Sequence, residues 1–360
     1  MLVLLGHSFS HMPAEALSGA DHLLLEPLHL CWLGVEIFFV LSGFLITGIL
    51  LDSRDSPQFF RGFFARRALR IFPLYYGVLI LFFFVRPLLR PNDAQEAWLT
   101  TQQGWYWLCV QNWLSVRIGG TIPGSNLISH FWSLGVEEQF YFLWPCLVYI
   151  TSRRGMLAAC VCVIAGALGL RILLHACGTP AESIYVMTPA RIDSLAWGGF
   201  AAVLARGPAG LAGMRRCGQW LLILGSGAFL ALGLAGMTFR FKTPWMVTGG
   251  HSAVAMAAAG FILVVLLMAP SSRLPSTLRT GSLLFLGKHS YAMYVLHNGA
   301  LSILAHHLHF TERVFRHVPS TGIAYASTFL GVLLVTTLVS YLSWKCLEEP
   351  FMNLKRYFPR

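Results

Sequence analysis

The strongest constraint on this chain is the recurrence of apolar stretches about 20 residues long, each bounded by charge, glycine or proline. A hydrocarbon core about 30 Å thick is crossed by about 20 residues rising about 1.5 Å each, so every such stretch has the length of one crossing. They fall at about 32–51, 70–88, 132–150, 155–174, 189–206, 217–237, 250–269, 283–307 and 321–345. The opening MLVLLGHSF reads as the second half of one more. The expected fold is therefore all-α, a polytopic transmembrane helical bundle of about ten spans, its first span truncated at the N-terminus. It forms one membrane domain over 1–352, with 353–360 as a short tail. Composition rules out water as the main solvent, because 56% of residues are hydrophobic and 11% charged, against roughly 25% charged in a soluble domain.

A net charge of +11 raises the question of nucleic acid or an anionic membrane face, and the placement of the charges answers it. They form short clusters between apolar runs, and no basic stretch with interleaved aromatics lies in a polar domain. The expected partner is the lipid bilayer and not nucleic acid. Positive loops stay in the cytoplasm. If the first span leaves the cytoplasm, the inner segments hold Arg54, Arg61, Arg66, Arg67, Arg70, Arg153, Arg154, Arg206, Arg215, Arg216, Arg273, Arg279, Lys288, Lys345, Lys355, Arg356 and Arg360, seventeen of the 26 basic residues. Both termini are then cytoplasmic. The long outer connection at 89–130 carries Trp98, Trp105, Trp107 and Trp113, and reads either as a re-entrant or interfacial cap or as an aromatic belt at headgroup level. The eight cysteines lie in or beside apolar stretches and imply no disulfide framework. Cys160 and Cys162 point to different helix faces and make no metal pair.

A charge at bilayer depth costs about 3 kcal/mol or more, so ionisable residues within spans are functional candidates. They are His7, Glu36, His130, Glu137, Glu138, Arg191, Asp193, His289, His297 and Glu348. His130, Ser133, Glu137 and Tyr141 recur at helical spacing and form one polar stripe, which must face other helices or a cavity. Glu137 or Glu138 could instead pair with Arg191 as a structural tie. Arg191 and Asp193 lie two positions apart, on different faces, and each is expected to pair with a different helix. His7 can accept a proton from a hydroxyl, and Glu36 is placed to orient it. His297 has Tyr291 or Tyr294 as candidate partners. Arg66, Arg67 and Arg70 form either a phosphate site on the inner face or simple anchoring. Ser42 and Gly43 read as a small-residue helix contact rather than a nucleophile. His306, His307, His309 and His317 cluster near one span end, but no carboxylate or cysteine completes a metal site, so none is expected.

Several of these strings coincide with a known pattern. WLGVEIFFVLSGFLI, RRALRIFP, QNWL, SHFWSLGVEEQFYFLWP, RIDSLAWGG, LGKHSYAMYVLH and the closing EEP resemble, in order and spacing, the acyltransferase 3 family of integral membrane acyl transferases. The resemblance implies an acyl-CoA co-substrate, commonly acetyl-CoA. The implied acceptor is a hydroxyl of an extracytoplasmic carbohydrate such as O-antigen, exopolysaccharide or peptidoglycan, or of a glycosylated antibiotic such as a macrolide. It implies a bacterial cytoplasmic membrane. It assigns His7 to catalysis, Glu36 to the family's acidic position, Arg66, Arg67 and Arg70 to its arginine motif, and Glu137 to its Trp-Ser-Leu motif. His130, Glu138, Arg191, Asp193 and His297 remain acceptor-side or structural candidates. The family's arginine roughly three turns before its histidine would precede Met1, so the true start is expected upstream, the alternative being an inactive copy. Relatives with a fused extracellular domain extend well past the position of Arg360, so direct transfer or a separate partner protein is expected. The rival class is a transporter or flippase, which inverted repeats would support; none is found in the sequence.

Overall fold

The computed structural model describes residues 1–10, 26–89, 93–207, 214–318 and 320–358, with the side chains of Ser10, Glu26, His306 and His307 outside the description. Among the described residues every regular element is helical. The longer helices are α1 (Leu2–Ser10), α2 (Leu33–Asp52), α3 (Phe59–Ile80), α4 (Trp132–Ile150), α5 (Arg153–Ala176), α6 (Thr188–Ala205), α7 (Arg215–Ala235), α8 (His251–Leu266), α9 (Gly281–Ser302) and α10 (Thr321–Ser343). Each matches an apolar stretch of the sequence. The largest boundary difference is α3, which begins at Phe59 instead of near residue 70. Charge marks where the bilayer ends, and arginine is a good helix former, so the helix runs on through Arg61, Arg66 and Arg67. A wide turn at Leu81–Val85 carries the same rod on to Leu89.

Among the described residues six helices are long and apolar enough to cross a membrane: Pro27–Asp52, Phe59–Leu89, Arg153–Ala176, Arg215–Ala235, Met246–Leu266 and Thr321–Tyr357. The protein is a multi-pass membrane protein. The long helices outside that set, α4, α6 and α9, hold most of the polar candidates, and for α6 its buried position explains it. The apolar windows of α5 and α7 are only 17% buried, whereas α6 buries Arg191, Asp193, Ser194 and most of its small residues. A helix surrounded by lipid must be apolar; one surrounded by protein can carry polar groups that its neighbours satisfy. The tightest contact is between α2 and α6, where a side chain on Gly43 would strike the carbonyl of Leu195 and one on Gly198 that of Val40. The small-residue reading of Gly43 is thus borne out.

The two ends of the bundle differ. At one end Arg54 donates to Tyr149 O (2.9 Å), Arg153 to Val203 O (3.3 Å), Arg66 to Phe358 O (2.9 Å), and Arg206 pairs with Asp52 (2.6 and 2.7 Å). Arginines that lie far apart in sequence therefore share one face. At the other end, residues 93–130 of the long connection fold as a cap of short helices, Ala94–Thr101, Gly104–Trp107 and Gln111–Ile118, and enter α4 through a turn at Ser129–Phe131. Asp93 caps the first by accepting from Gln95 N and Glu96 N, and Gly119 ends the third with φ +74°. The cap is anchored rather than merely interfacial. Trp113 donates to Gln139 (3.0 Å), Trp107 stacks on Tyr76 (5.7 Å between centroids), and buried Asn112 donates to Thr188 (2.9 Å). All eight cysteines are free, with Cys160 buried and Cys162 exposed on opposite faces.

Candidate functional site

Histidines from three distant segments meet beneath the cap. α1 is apolar around His7 and packs on α10, where Tyr325 donates to Leu5 O at 2.8 Å. This holds the His7 ring 4.9 Å from that of His297 on α9 and 6.4 Å from that of His130, in the turn before α4. The His130 and His297 rings are 4.5 Å apart. Asn298, buried beside His297, bridges them: its Oδ1 lies 2.8 Å from His7 Nδ1 and its Nδ2 2.9 Å from His130 Nδ1. His7 and His130 line a cavity of about 690 Å³ whose walls include Trp32, Trp132, Tyr185 and Tyr294, with Arg240 and Lys242 among its lining cations. Aromatic faces beside a few polar groups suit a ring-shaped, hydroxylated ligand.

The stripe expected on α4 is buried along its whole length, a polar column whose members bond in two separate groups. Next to His130, the Ser133 hydroxyl bonds that of Tyr294, which reaches His130 O at 3.0 Å. Further along, Tyr141 donates to Glu137 (2.8 Å) and its hydroxyl bonds that of Ser42 (2.6 Å). The Arg67 guanidinium lies 5.2 Å from the centre of the Tyr141 ring. Arg66, Arg67 and Arg70 together line a second cavity of about 300 Å³, with Lys355 on its wall. From position 141 to 130 the helix rises roughly 16 Å. The column thus leads from the arginine cavity at the basic end toward the histidines under the cap. Of the candidate partners for His297, neither tyrosine side chain serves; its Nδ1 bonds the Tyr294 backbone carbonyl at 2.6 Å.

Other expectations need correction. Glu36 does not orient His7: its fully buried carboxylate pairs with Arg191, accepts from Ser194 Oγ (2.7 Å) and lies 2.8 Å from His251 Nδ1. The face of α2 that carries Glu36 packs on α6 and α8, while His7 faces α9. Arg191 is therefore taken, and neither Glu137 nor Glu138 pairs with it. Its guanidinium lies between the rings of Tyr185 and Phe39, at 4.9 and 5.8 Å. Glu137 belongs to the column and not to the cavity wall under the cap. Glu138 is half-buried and has no hydrogen bond among the described residues. Asp193 does pair with another helix, receiving both arms of Arg171 on α5 (3.0 and 2.9 Å) and the hydroxyl of Ser252. Sequence reasoning passed over Arg171, His251 and Asn298. Arg171, in LGLRILL, met the criterion of an ionisable group inside an apolar span, whereas His251 opens a helix and Asn298 carries no charge.

Buried His289 bonds its own helix, its Nδ1 2.8 Å from Phe285 O, and Glu348 accepts from Ser343 at 3.1 Å. His309 pairs with Glu312 and His317 with Arg313 O, both on the surface, while the side chains of His306 and His307 lie outside the described residues. Among the described residues no group of three or more His, Cys, Asp or Glu is arranged to hold a metal ion.

A family model described as an acyltransferase domain matches residues 1–345, which include every candidate above except Glu348. The chain belongs to the acyltransferase 3 family. Among curated members, it is 30% identical over 337 residues to YrhL of Bacillus subtilis (strain 168), covering 89% of this chain and 50% of that protein. It is 25% identical over 366 residues to the O-acetyltransferase OatA of Staphylococcus aureus (strain NCTC 8325 / PS 47), covering 96% and 55%. It is 26% identical over 335 residues to the peptidoglycan O-acetyltransferase OatA of Listeria monocytogenes, covering 89% and 51%. The chain thus spans about half the length of these acyltransferase 3 relatives. No solved structure matches it.

Proposed function

We propose that this protein is a membrane O-acyltransferase. It moves an acyl group, acetyl first among the candidates, from cytoplasmic acyl-CoA to a hydroxyl of an extracytoplasmic carbohydrate, with peptidoglycan as the leading acceptor. The observation that carries the reading is the pair of cavities at opposite ends of the bundle, one lined by Arg66, Arg67 and Arg70 and the other by His7 and His130, with a buried polar column between them. The names of the relatives support the reaction and the acceptor class. Clustering of the basic residues at the arginine end supports placing that end, with the C-terminal residues, in the cytoplasm. On this reading α4, α6 and α9 also cross the membrane, giving about ten spans once α1 is included.

In this scheme Arg66, Arg67 and Arg70 hold the phosphates of the CoA thioester, as charge-assisted donors do. His7 acts as general base: it takes the proton of the acceptor hydroxyl as that oxygen attacks the thioester carbonyl, the carbon–sulfur bond breaks, and the proton passes to the departing thiolate. The aromatic wall of Trp32, Trp132 and Tyr185 holds the sugar. The test is acetyl transfer from labelled acetyl-CoA to a peptidoglycan fragment by protein reconstituted in vesicles. His7→Ala is expected to lower the rate by about 100-fold or more while the protein keeps its melting temperature. A rate equal to wild type would remove His7 from the chemistry. Acetyl-CoA neither bound nor consumed by the wild-type protein would favour a transporter instead.

A further inference from the structure

The reading of His7 as base leaves open what fixes the imidazole now that Glu36 is committed elsewhere. The bonds around Asn298 answer this from acceptors that cannot change role. Asn298 Nδ2 lies 3.2 Å from the backbone carbonyl of Asn126, and a carbonyl oxygen only accepts. The reverse amide orientation would set oxygen against oxygen, so Nδ2 points to Asn126 and Oδ1 points to His7. From there each ring follows. Oδ1 accepts, so His7 Nδ1, at 2.8 Å, carries the hydrogen and the lone pair of the neutral ring falls on Nε2. The remaining Nδ2 hydrogen goes to His130 Nδ1 at 2.9 Å, so the hydrogen of His130 sits on Nε2. His297 gives its Nδ1 hydrogen to Tyr294 O at 2.6 Å, which leaves its Nε2 as a second acceptor 2.9 Å from His7 Nδ1. Asn298 and the Nδ1 hydrogens of His7 and His297 all meet acceptors in this assignment, while His130 Nε2 is buried with no hydrogen-bond partner among the described residues.

We propose that Asn298 is the positioning residue that sets the tautomer of His7, presenting the Nε2 lone pair as the base while the Nδ1 hydrogen is shared between Asn298 and His297. This rests on the proposed role of His7 and extends it. A base must keep a partner for its other hydrogen when it becomes an imidazolium, and Asn298 Oδ1 with His297 Nε2 supplies two. Asn298 does not line the cavity; it acts through His7. The cap enters as well, because the Asn126 carbonyl that orients the amide belongs to the segment leading into the Ser129–Phe131 turn.

The test uses full-length protein in lipid nanodiscs with ring-15N-labelled histidine, the His7 signals being assigned by difference from His7→Gln. In the neutral ring of the wild type, His7 is expected to carry its hydrogen on Nδ1; a hydrogen on Nε2 would overturn the proposal regardless of activity. Asn298→Leu, which cannot accept, is expected to lower kcat by about 100-fold with KM for acetyl-CoA within twofold, and to let the His7 hydrogen move to Nε2. Asn298→Asp keeps the acceptor and is expected to recover at least a tenth of the wild-type kcat and the Nδ1 hydrogen. An Asn298→Leu protein with wild-type kcat, beside an inactive His7→Ala, would refute the role of Asn298 and leave that of His7 intact. Active His7→Ala would instead refute the reading beneath it. Should Asn298→Leu not fold, the wild-type spectrum alone still decides the tautomer.

Discussion

Two buried carboxylates on facing helices, Glu36 and Asp193, are both satisfied by arginine and by a serine hydroxyl. Removing one member of a buried pair leaves an uncompensated charge and costs about 3–5 kcal/mol. Glu36→Ala is therefore expected to lower thermal stability in detergent sharply, because Arg191 is then stranded at full burial. Glu36→Gln keeps an oxygen toward Arg191 and Ser194 and should lose less. If Glu36 served His7 directly, Glu36→Gln would instead lose activity at unchanged melting temperature, and measuring both quantities on one preparation separates the two roles. At the arginine cavity, a lost charge-assisted bond is worth about 1.5–3 kcal/mol. Arg70→Ala is therefore expected to raise KM for acetyl-CoA by roughly ten- to a hundredfold with little change in kcat.

Helices α2 and α6 approach closely enough that their backbones touch at Gly43 and Gly198. This contact brings Glu36 to Arg191 and Ser194, so the ion pair depends on the absence of two side chains. Gly198→Leu is expected to push the helices apart, and the measurement is a fall in melting temperature comparable with that of Glu36→Ala. The double variant should fall by less than the sum, since both changes break the same contact. The α4 stripe behaves differently. Its members bond neighbours one by one, Ser133 to Tyr294 and Tyr141 to Glu137 and Ser42, so single substitutions there should act locally.

The molecule as a whole has two unlike ends, and their sidedness can be measured. A single-cysteine variant at Thr101 in the cap, exposed in the structure, is expected to react with a membrane-impermeant maleimide in intact cells. One at Gln58 or Ser56, at the basic end, should react only after the membrane is opened. The opposite pattern would invert the proposed topology and place the arginine cavity outside, away from cytoplasmic CoA. The lipid-facing surface follows the same logic of surroundings: α10 exposes Ile323, Leu330, Leu334 and Leu338 along one side while burying Tyr325, Thr328, Val332 and Thr336 on the other.

Much of this was legible without coordinates. Apolar length fixed the helices and class, because a span is a local property, and the 3.6-residue period fixed the α4 stripe from His130 to Tyr141. Pairing was not legible. His7 meets an asparagine 291 positions away, and Glu36 meets Arg191 and His251 across 155 and 215. A polar residue in lipid needs some partner, which its own segment reveals; which partner it takes depends on how the helices pack, and only the folded bundle decides that. So the sequence by itself determined a membrane helical bundle and most of the groups able to do chemistry in it, while the tertiary structure gave Glu36 to Arg191 and His7 to Asn298.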